Sequence, residues 1–332
     1  MHVEKRKVIL VTGGAGYIGS HACKALSAAG YLPVCYDNLY SGSRTAVQWG
    51  PLEEGDLLDS RRLDAVIARY QPDSVMHFAA RVSVPESVAD PAVYYRTNVS
   101  GTLNLLEAMR RHGLLKLVFS STCAIYGAPG SIPVVETDAK LPLNPYGSSK
   151  LMGETMLEQY SAAYGLRYVA LRYFNVAGAD PDGTTGECDA AVTRLIPLVL
   201  DTAAGIREYI EVFGEDYPTP DGTGIRDYIH VCDIADAHLL ALRHLDHGAP
   251  STAFNVGNSR GISVKEIIEL SRRITGRHIA VKSGRRRAGD PPLLIADATR
   301  IRKELGWTPK LSDPKTIIET AWNWHRQLHG SD

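Results

Sequence analysis

The sequence lacks both a long apolar run and an excess of charge of either sign. No stretch approaches the ~20 consecutive apolar residues that cross a bilayer, and the start, Met1–Lys7, has no signal-like apolar region or cleavage site. Lys and Arg number 36 against 37 Asp and Glu, a net charge of −1, so nothing favours nucleic acid or an anionic membrane as partner. We therefore expect a cytoplasmic protein with neither kind of partner.

Cysteine is scarce, and its arrangement argues against a disulfide framework or a cysteine zinc site. The five cysteines are odd in number and scattered, without Cys-x-x-Cys spacing. Reduced thiols are the expectation, and no metal site is predicted. Cys123 lies beside the candidate site described below, where we interpret it as a small packing residue.

The chain does have a regular alternation of strand and helix patterns over its first half. With 332 residues it can bury a sizeable core, and continuous apolar runs such as Val8–Val11 are typical of strands in a parallel sheet. The alternation predicts an α/β, doubly wound, Rossmann-like sheet in a first domain, residues 1–175. Turn-rich segments at 177–183 and 215–224 favour a smaller second domain, residues 176–332, with some segments crossing back to the first.

Three glycines follow the first predicted strand and open a helix predicted over Tyr17–Ala29. Gly13, Gly16 and Gly19 have the spacing of the dinucleotide fingerprint, in which one glycine makes the tight turn, one admits a pyrophosphate and one packs the helix closely. The pyrophosphate then lies at the helix N-terminus, where free N–H groups and the dipole favour an anion. The sequence therefore predicts a dinucleotide-binding first domain.

An acidic residue at the end of the second predicted strand bears on the choice of dinucleotide. Asp37 lies about 20 residues past the glycines, where a carboxylate binds the adenosine ribose and repels a 2′-phosphate, so NAD is favoured over NADP. Arg44 nearby keeps NADP open, and Asp37 has the alternative of capping a turn with Asn38. Asp56 faces the adenine or caps a simple turn.

Residues 74–80 form another predicted buried strand that ends in small side chains. Ala79 and Ala80 leave room for a cofactor at its end. His77 lies inside the apolar run, and we interpret it as a hydrogen-bonded core histidine and not as a catalyst.

The strongest catalytic pattern is Ser120–Thr122 followed by Tyr146–Lys150. Residues four apart share a helix face, so Tyr146 and Lys150 can meet in one site. An ammonium about 4 Å from a phenol contributes on the order of 4 kcal/mol at an effective dielectric of ~20, enough to lower the pKa of the phenol by up to about 3. Such a phenolate can take a proton from a sugar hydroxyl, to which Thr122 can also hydrogen-bond. Tyr-x-x-x-Lys is common by chance, so the alternative is a pair of ordinary helix-surface residues.

Taken together, these motifs resemble the extended short-chain dehydrogenase/reductase superfamily and, within it, the UDP-glucose 4-epimerase family. The similarity runs essentially end to end and includes Gly13–His21, Tyr36–Leu39, His77–Ala80, Asn98–Thr102, Asn144–Lys150, Leu171–Asn175 and, most discriminating, Asp221–Val231. The resemblance implies NAD held in the first domain, a UDP-sugar bound mainly by the second, and a homodimer. It implies C4 epimerisation of a UDP-hexose, UDP-galactose to UDP-glucose and back, through a transient 4-keto sugar.

The resemblance also assigns roles to residues of this sequence. It implies a catalytic set of Tyr146, Lys150 and Thr122. The implied cofactor-binding residues are Gly13, Gly16, Tyr17, Ile18, Gly19, Asp37, Asn38, Asp56, Leu57, Phe78, Ala79, Ala80, Asn98, Ser120, Tyr146, Lys150 and Tyr173. The implied substrate-binding residues are Thr122, Tyr146, Asn175, Leu195, Phe213, Arg226, Tyr228, Arg287 and Asp290, with the two arginines on the pyrophosphate.

Three other functions stay open at this point. A nucleotide-sugar 4,6-dehydratase shares the fold and the Tyr146, Lys150 and Thr122 set, but typically has Asp-Glu directly after the threonine, where this chain has Cys123-Ala124. A non-catalytic NAD-sensing regulator could dispense with the tyrosine and lysine. The same epimerisation could also act on UDP-N-acetylglucosamine or on the UDP-xylose/UDP-arabinose pair, and Leu294, of intermediate size, leaves N-acetylated sugars open.

Overall fold

The computed structural model describes residues 6–188, 193–287 and 290–330. The chain divides into two compact units. The first comprises Met1–Ile125, Pro142–Arg172 and Ala235–Phe254, and the second comprises Tyr126–Leu141, Tyr173–Ile234 and Asn255–Asp332, of which the structure describes the ranges just given. The chain thus passes between the units several times, and the division predicted at residue 175 stays a prediction.

The strands and helices alternate through most of the chain. The strands are β1 Val8–Thr12, β2 Leu32–Asp37, β3 Leu52–Glu54, β4 Ser74–His77, β5 Lys116–Thr122, β6 Arg167–Tyr173, β7 Asn175–Ala177, β8 Ile210–Phe213, β9 Ile225–His230, β10 Thr252–Val256, β11 Gly261–Ser263, β12 Val281–Gly284 and β13 Leu293–Leu294. The helices are α1 Tyr17–Ala28, α2 Ser60–Tyr70, α3 Val84–Ala89, α4 Pro91–Tyr94, α5 Gly101–Arg111, α6 Pro145–Tyr164, α7 Leu195–Ala203, α8 Val231–Asp246, α9 Val264–Thr275, α10 Thr299–Leu305 and α11 Pro314–His329. A π-helical segment, Tyr95–Ser100, joins α4 to α5.

A seven-stranded sheet, in the order β10-β6-β5-β4-β1-β2-β3, organises the first unit. The pairs β1–β2, β1–β4, β2–β3 and β4–β5 are parallel. Order and direction confirm the predicted Rossmann-like, doubly wound α/β fold. The strand order reverses at β1, and the crevice outside the carboxyl ends of the strands at such a point is where open α/β sheets bind ligands. The edge strand β10 comes from beyond residue 175, where the sequence pattern predicted the sheet to end.

Apolar burial explains why these residues form the sheet. All five residues of β1 are buried, as are the four of β4, because helices cover both faces of a parallel sheet. The core of this unit packs strand residues such as Leu10 and Phe119 against helix residues such as Leu63 and Leu157. That core holds the carboxyl ends of the strands at one edge.

The second unit contains two small sheets. In one, β9 lies between β11 and β13 and also pairs with β7, and in the other β12 pairs with β8. Helices α7, α9 and α11 supply most of the apolar core of this unit, through residues such as Val199, Ile268 and Ile318. The long segment between β8 and β9, predicted as an irregular loop, contains no strand or helix.

Two further expectations bear on the cysteines and on membranes. All five cysteines carry free thiols, as predicted. Within the described ranges, no helix combines the length and the apolar character needed to cross a bilayer.

Candidate active site

The glycine turn after β1 has the shape that a dinucleotide pyrophosphate requires. Gly13 has φ +75°, and a Cβ there would lie 2.5 Å from the Ala79 nitrogen. A Cβ on Gly19 would lie 2.1 Å from the Gly13 oxygen, so both positions exclude a side chain. Gly16 caps α1 without a side-chain hydrogen bond, and the N-terminus of this helix is the end at which the helix dipole favours an anion.

The carboxylate of Asp37 lies at the end of β2 beside this turn. It is buried and accepts hydrogen bonds from the Ala15 N–H at 3.0 Å and the Leu39 N–H at 2.8 Å. Burial raises its pKa, and the two N–H donors oppose that effect. Each oxygen keeps capacity for a further donor such as a ribose hydroxyl. Arg44 forms an ion pair with Glu54, which makes it a poorer partner for a 2′-phosphate.

The segments after β2 and β3 are tied together. The Asn38 amide donates to Asp56 Oδ2 at 2.7 Å, and the Leu58 N–H donates to Asp56 Oδ1 at 2.8 Å. Asp56 therefore caps a turn, the alternative left open by the sequence, and its contact with an adenine stays a prediction. Leu57 is buried against Gly101, since a Cβ on Gly101 would lie 3.2 Å from the Cβ of Leu57.

The end of β4 closes directly onto β1. The Phe78 and Ala79 N–H groups both donate to the Thr12 carbonyl, at 2.8 and 3.0 Å. His77 is bonded at both ring nitrogens, by Thr12 Oγ1 at 2.7 Å and Thr102 Oγ1 at 2.9 Å. Burial, aided by the Lys150 cation, lowers the pKa of His77 to about 3. His77 is the satisfied core histidine that the sequence predicts.

Asn98, in the π-helical segment, connects this edge to the helix that carries Tyr146. Its Oδ1 accepts from the Arg81 N–H at 2.8 Å, and its Nδ2 donates to the Arg81 carbonyl at 3.0 Å and to Ser149 Oγ at 2.9 Å. Ser149 Oγ in turn donates to the Tyr146 carbonyl at 2.7 Å. Both amide hydrogens of Asn98 are thus engaged, so it positions its neighbours whether or not it also contacts the cofactor.

The start of α6 is pressed against the end of β5. Asn144 caps the helix by accepting the Gly147 N–H at 2.9 Å. A Cβ on Gly147 would lie 2.6 Å from the Ala124 carbonyl oxygen, so only glycine permits this approach. Thr122 Oγ1 accepts the Ala124 N–H at 3.1 Å, which leaves the threonine hydroxyl hydrogen for another acceptor. Tyr146, the second residue of α6, is half-buried near this junction.

Lys150 lies one turn beyond Tyr146 and is buried. Its Nζ is 4.4 Å from the centroid of the Phe119 ring. Burial lowers the pKa of Lys150 to about 7, against the opposing effect of the Glu154 carboxylate. The expected lowering of the phenol pKa requires an ammonium on Lys150. In the folded protein this ammonium form is only partly populated near neutral pH, so the charge of Lys150 depends on its neighbours.

The depressed pKa of Lys150 predicts a pH-dependent stability of the NAD-free protein. Between pH ~7 and the usual lysine pKa of about 10.4 the unfolded chain holds a proton that the folded chain has lost, so the free energy of unfolding rises with pH in this window. We expect Lys150→Met to remove this slope. Urea unfolding from pH 6.5 to 9.5 measures it, with exposed Lys310→Met as control; an unchanged slope in Lys150→Met would contradict the assignment.

A buried ion pair lies directly behind these residues. Glu154 Oε2 is 2.7 Å from Arg172 Nη2, and Glu154 Oε1 accepts from Arg172 Nε at 2.9 Å and from Ser121 Oγ at 2.5 Å. The pair joins α6 to β5 and β6 next to Thr122. The sequence pattern does not single out Glu154, although its position one turn after Lys150 on the same helix face is a signal that points to it.

Of the remaining cofactor candidates, Ser120 and Tyr173 are buried near the ends of β5 and β6. Ser120 lies in the first unit with the glycine turn, whereas Tyr173 lies in the second. Ile18 follows Tyr17 in the first turn of α1, and Ala80 follows Ala79 after β4. Their contacts with a dinucleotide stay predictions.

The substrate candidates of the second unit fall into contacting pairs. Arg226 forms an ion pair with Asp290. The Arg287 guanidinium lies 4.0 Å from the Phe213 ring centroid.

A third pair lies on the neighbouring strands β7 and β9, where Asn175 is in register with Tyr228. Burial raises the pKa of Tyr228 to about 12. Leu195 begins α7 and packs on the core cluster that includes Tyr228. The second unit thus contains two arginines, two aromatic rings and an amide, side-chain types that suit a nucleoside diphosphate. That they bind one stays a prediction.

Comparison with known proteins agrees with this geometry. The profile of the NAD dependent epimerase/dehydratase family matches residues 9–257. The chain belongs to this family. Its cofactor is NAD, which the glycine turn, the α1 N-terminus and Asp37 fit.

Individual members of the family cover the chain almost completely. A curated UDP-glucose 4-epimerase from Lacticaseibacillus casei is 51% identical over 318 residues, 96% of each chain. The crystal structure of a UDP-glucose 4-epimerase from Brucella ovis in complex with NAD is 51% identical, with a TM-score of 0.94 over 96% of this chain and 98% of that one. The enzyme from Stenotrophomonas maltophila, solved with NAD and formylated UDP-arabinopyranose, is 38% identical, with a TM-score of 0.95 over 98% and 100%.

Proposed function

We propose that the protein catalyses NAD-dependent C4 epimerisation of a UDP-hexose, interconverting UDP-galactose and UDP-glucose. The observation that supports the proposal is the junction of β5 and α6, where β5 ends at Thr122 and α6 begins with Tyr146 in its first turn and Lys150 one turn on, at the carboxyl edge of a sheet whose glycine turn fits NAD. The relatives named above support the same reaction.

NAD, when bound, supplies the acceptor and donor of the C4 hydride. Tyr146 removes the proton from the sugar 4-hydroxyl and later returns it, because an oxidation at that carbon must shed a proton and the reverse step must recover one. Thr122 orients the same oxygen through its free hydroxyl hydrogen. Lys150 supports the tyrosine with its ammonium charge, and the pKa of Lys150 lies close to neutral pH. The transient 4-keto sugar rotates between the two hydride transfers, so that hydride returns to its other face. Because the cycle regenerates NAD, it consumes no second substrate.

The UDP moiety is assigned to the second unit. Arg226 and Arg287 meet the pyrophosphate, since guanidinium groups pair with phosphate oxygens in a bidentate manner. The ion pair of Arg226 with Asp290 means that the diphosphate shares this cation with a carboxylate. Phe213 and Tyr228 offer aromatic faces to the nucleoside, and Asn175 offers an amide to the diphosphate or sugar.

We expect purified protein to convert UDP-galactose to UDP-glucose without added cofactor, because NAD is regenerated in every cycle. Separation of the two UDP-sugars by ion-exchange chromatography measures the product, and denaturation followed by an absorbance assay measures the NAD that the protein carries. Absence of UDP-glucose from protein that demonstrably contains NAD would refute the proposed reaction.

The alternatives separate in the same experiment. The preferred sugar is identified by testing UDP-galactose side by side with UDP-N-acetylglucosamine and with the UDP-xylose/UDP-arabinose pair. Leu294 is the residue to vary, since it is buried in β13 in register with Arg226. A 4,6-dehydratase would release a 4-keto-6-deoxy sugar. The Cys123-Ala124 sequence after Thr122 disfavours this reaction, because dehydratases typically have Asp-Glu at those positions. A homodimer and a cytoplasmic location stay predictions, supported by the resemblance and the composition.

A further inference from the structure

Two side chains from different loops of the first unit form a close cation–π contact at the glycine turn. The Arg81 guanidinium carbon lies 3.7 Å from the centroid of the Tyr40 ring, and Arg81 Nη1 donates to the Tyr40 hydroxyl at 2.6 Å. Tyr40 is 64% exposed, whereas the side chain of Arg81 is only 19% exposed. An exposed tyrosine thus covers a mostly buried cation.

The topology places this contact over the turn after β1. Tyr40 follows β2 and Arg81 follows β4, and β1 lies between those strands, which are therefore about 10 Å apart. A contact between side chains from both loops at the carboxyl edge has to pass over the end of β1. The loop after β2 also lies directly on the glycine turn, since a Cβ on Gly42 would be 2.9 Å from the Ala15 carbonyl carbon.

The loop that carries Tyr40 is held in one conformation. Leu39 has φ +59°, a left-handed backbone that costs a non-glycine residue about 1 kcal/mol or more. Two consecutive side-chain contacts maintain it. Asp37 Oδ1 accepts the Leu39 N–H at 2.8 Å, and Asn38 Oδ1 accepts the Tyr40 N–H at 3.0 Å. The structure therefore presents Tyr40 in a fixed direction.

The Arg81 arm is braced as well. Asn98 binds both the N–H and the carbonyl of Arg81, at 2.8 and 3.0 Å. Glu86 accepts Arg81 Nη1 at 2.7 Å and is itself fixed by the Tyr94 hydroxyl at 2.7 Å. Both arms are anchored independently, so their contact does not require either loop to reorganise.

We infer that Arg81 and Tyr40 form a strap across the pyrophosphate of bound NAD and slow its release. The inference rests on the proposed position of the pyrophosphate at the N-terminus of α1. A dinucleotide seated there lies beneath the strap and next to the Arg81 cation, so NAD can leave only after the contact between the two side chains opens. Retention matters for the proposed reaction, because release of reduced cofactor in mid-cycle would strand a 4-keto sugar.

Release of NADH tests the strap without requiring turnover. Protein loaded with NADH is diluted into excess NAD, and the loss of bound-NADH fluorescence gives the dissociation rate. A cation–π contact with its hydrogen bond corresponds to roughly a tenfold change in rate. We expect Arg81→Ala and Tyr40→Ala each to release NADH about tenfold faster, Tyr40→Phe to be intermediate, and the double variant to be no faster than either single one.

Lys282→Ala is the matched control. It removes another cation–π contact, in the second unit, where Lys282 Nζ lies 3.6 Å from the Tyr209 ring centroid, and we expect it to leave the release rate unchanged. Thermal unfolding verifies that every variant folds. An unchanged rate in Tyr40→Ala, or single effects that multiply in the double variant, would overturn the strap, because the two side chains would then not act through their mutual contact. Protein that binds NAD but fails to epimerise UDP-galactose would refute the proposed function and leave this measurement intact.

Discussion

Tyr146→Phe is expected to lower turnover of UDP-galactose by about a thousandfold. General acid–base groups contribute roughly 10²–10⁴-fold, and a thousandfold loss is about 4 kcal/mol of activation free energy. The expectation is specific because Tyr146 lies at the junction of β5 and α6 and phenylalanine keeps the ring that packs there. Initial rates of UDP-glucose formation measure the effect.

The bound cofactor is the internal control for this variant. Since the glycine turn and Asp37 are untouched, Tyr146→Phe is expected to retain NAD at the level of the unaltered protein. Tyr164→Phe, at the far end of the same helix, is the matched substitution and is expected to be fully active. Turnover of Tyr146→Phe within tenfold of the unaltered protein would rule out this tyrosine as the proton acceptor.

Glu154→Gln is expected to reduce the free energy of unfolding by about 3–5 kcal/mol. Removing one partner of a buried ion pair leaves the other charge uncompensated, and the side chains of Arg172 and Glu154 are only 4% and 7% exposed. The carboxylate also raises the pKa of Lys150. Its loss should therefore lower that pKa further and, because the ammonium form of Lys150 is the one that supports Tyr146, shift the alkaline limb of the activity profile to lower pH. Urea unfolding and a pH–rate profile measure the two effects.

Two comparisons identify the ion pair as the cause. Glu304→Gln breaks an exposed pair with Arg300 in α10 and is expected to change stability by less than about 1 kcal/mol. The double variant Glu154→Leu with Arg172→Met replaces both charges by apolar side chains and is expected to recover most of the lost stability. If the double variant is as unstable as Glu154→Gln, the loss has another origin than an unpaired arginine.

Much of the fold of the first unit could be predicted from the sequence because its patterns are local. A continuous apolar run predicts a strand buried on both faces, and the helix predicted over Tyr17–Ala29 agrees with α1, Tyr17–Ala28, to within one residue. The glycine spacing after β1 specifies its own turn, since the φ of Gly13 and the contact between Gly19 and Gly13 involve near neighbours. Tyr146 and Lys150 are likewise four residues apart on one helix. Free thiols and the core role of His77 follow from the same kind of reasoning.

The tertiary structure decided what depends on residues far apart in sequence. The ion pair of Glu154 with Arg172, the clamp of Asn98 on Arg81 and the contact of Arg81 with Tyr40 each join segments that only the strand order brings together. The return of β10 to the sheet is of the same kind. The pKa of Lys150 shows the physical reason most directly. The spacing in the sequence places Lys150 near Tyr146, but its charge depends on how completely the packed core excludes water. No local sequence pattern encodes that exclusion.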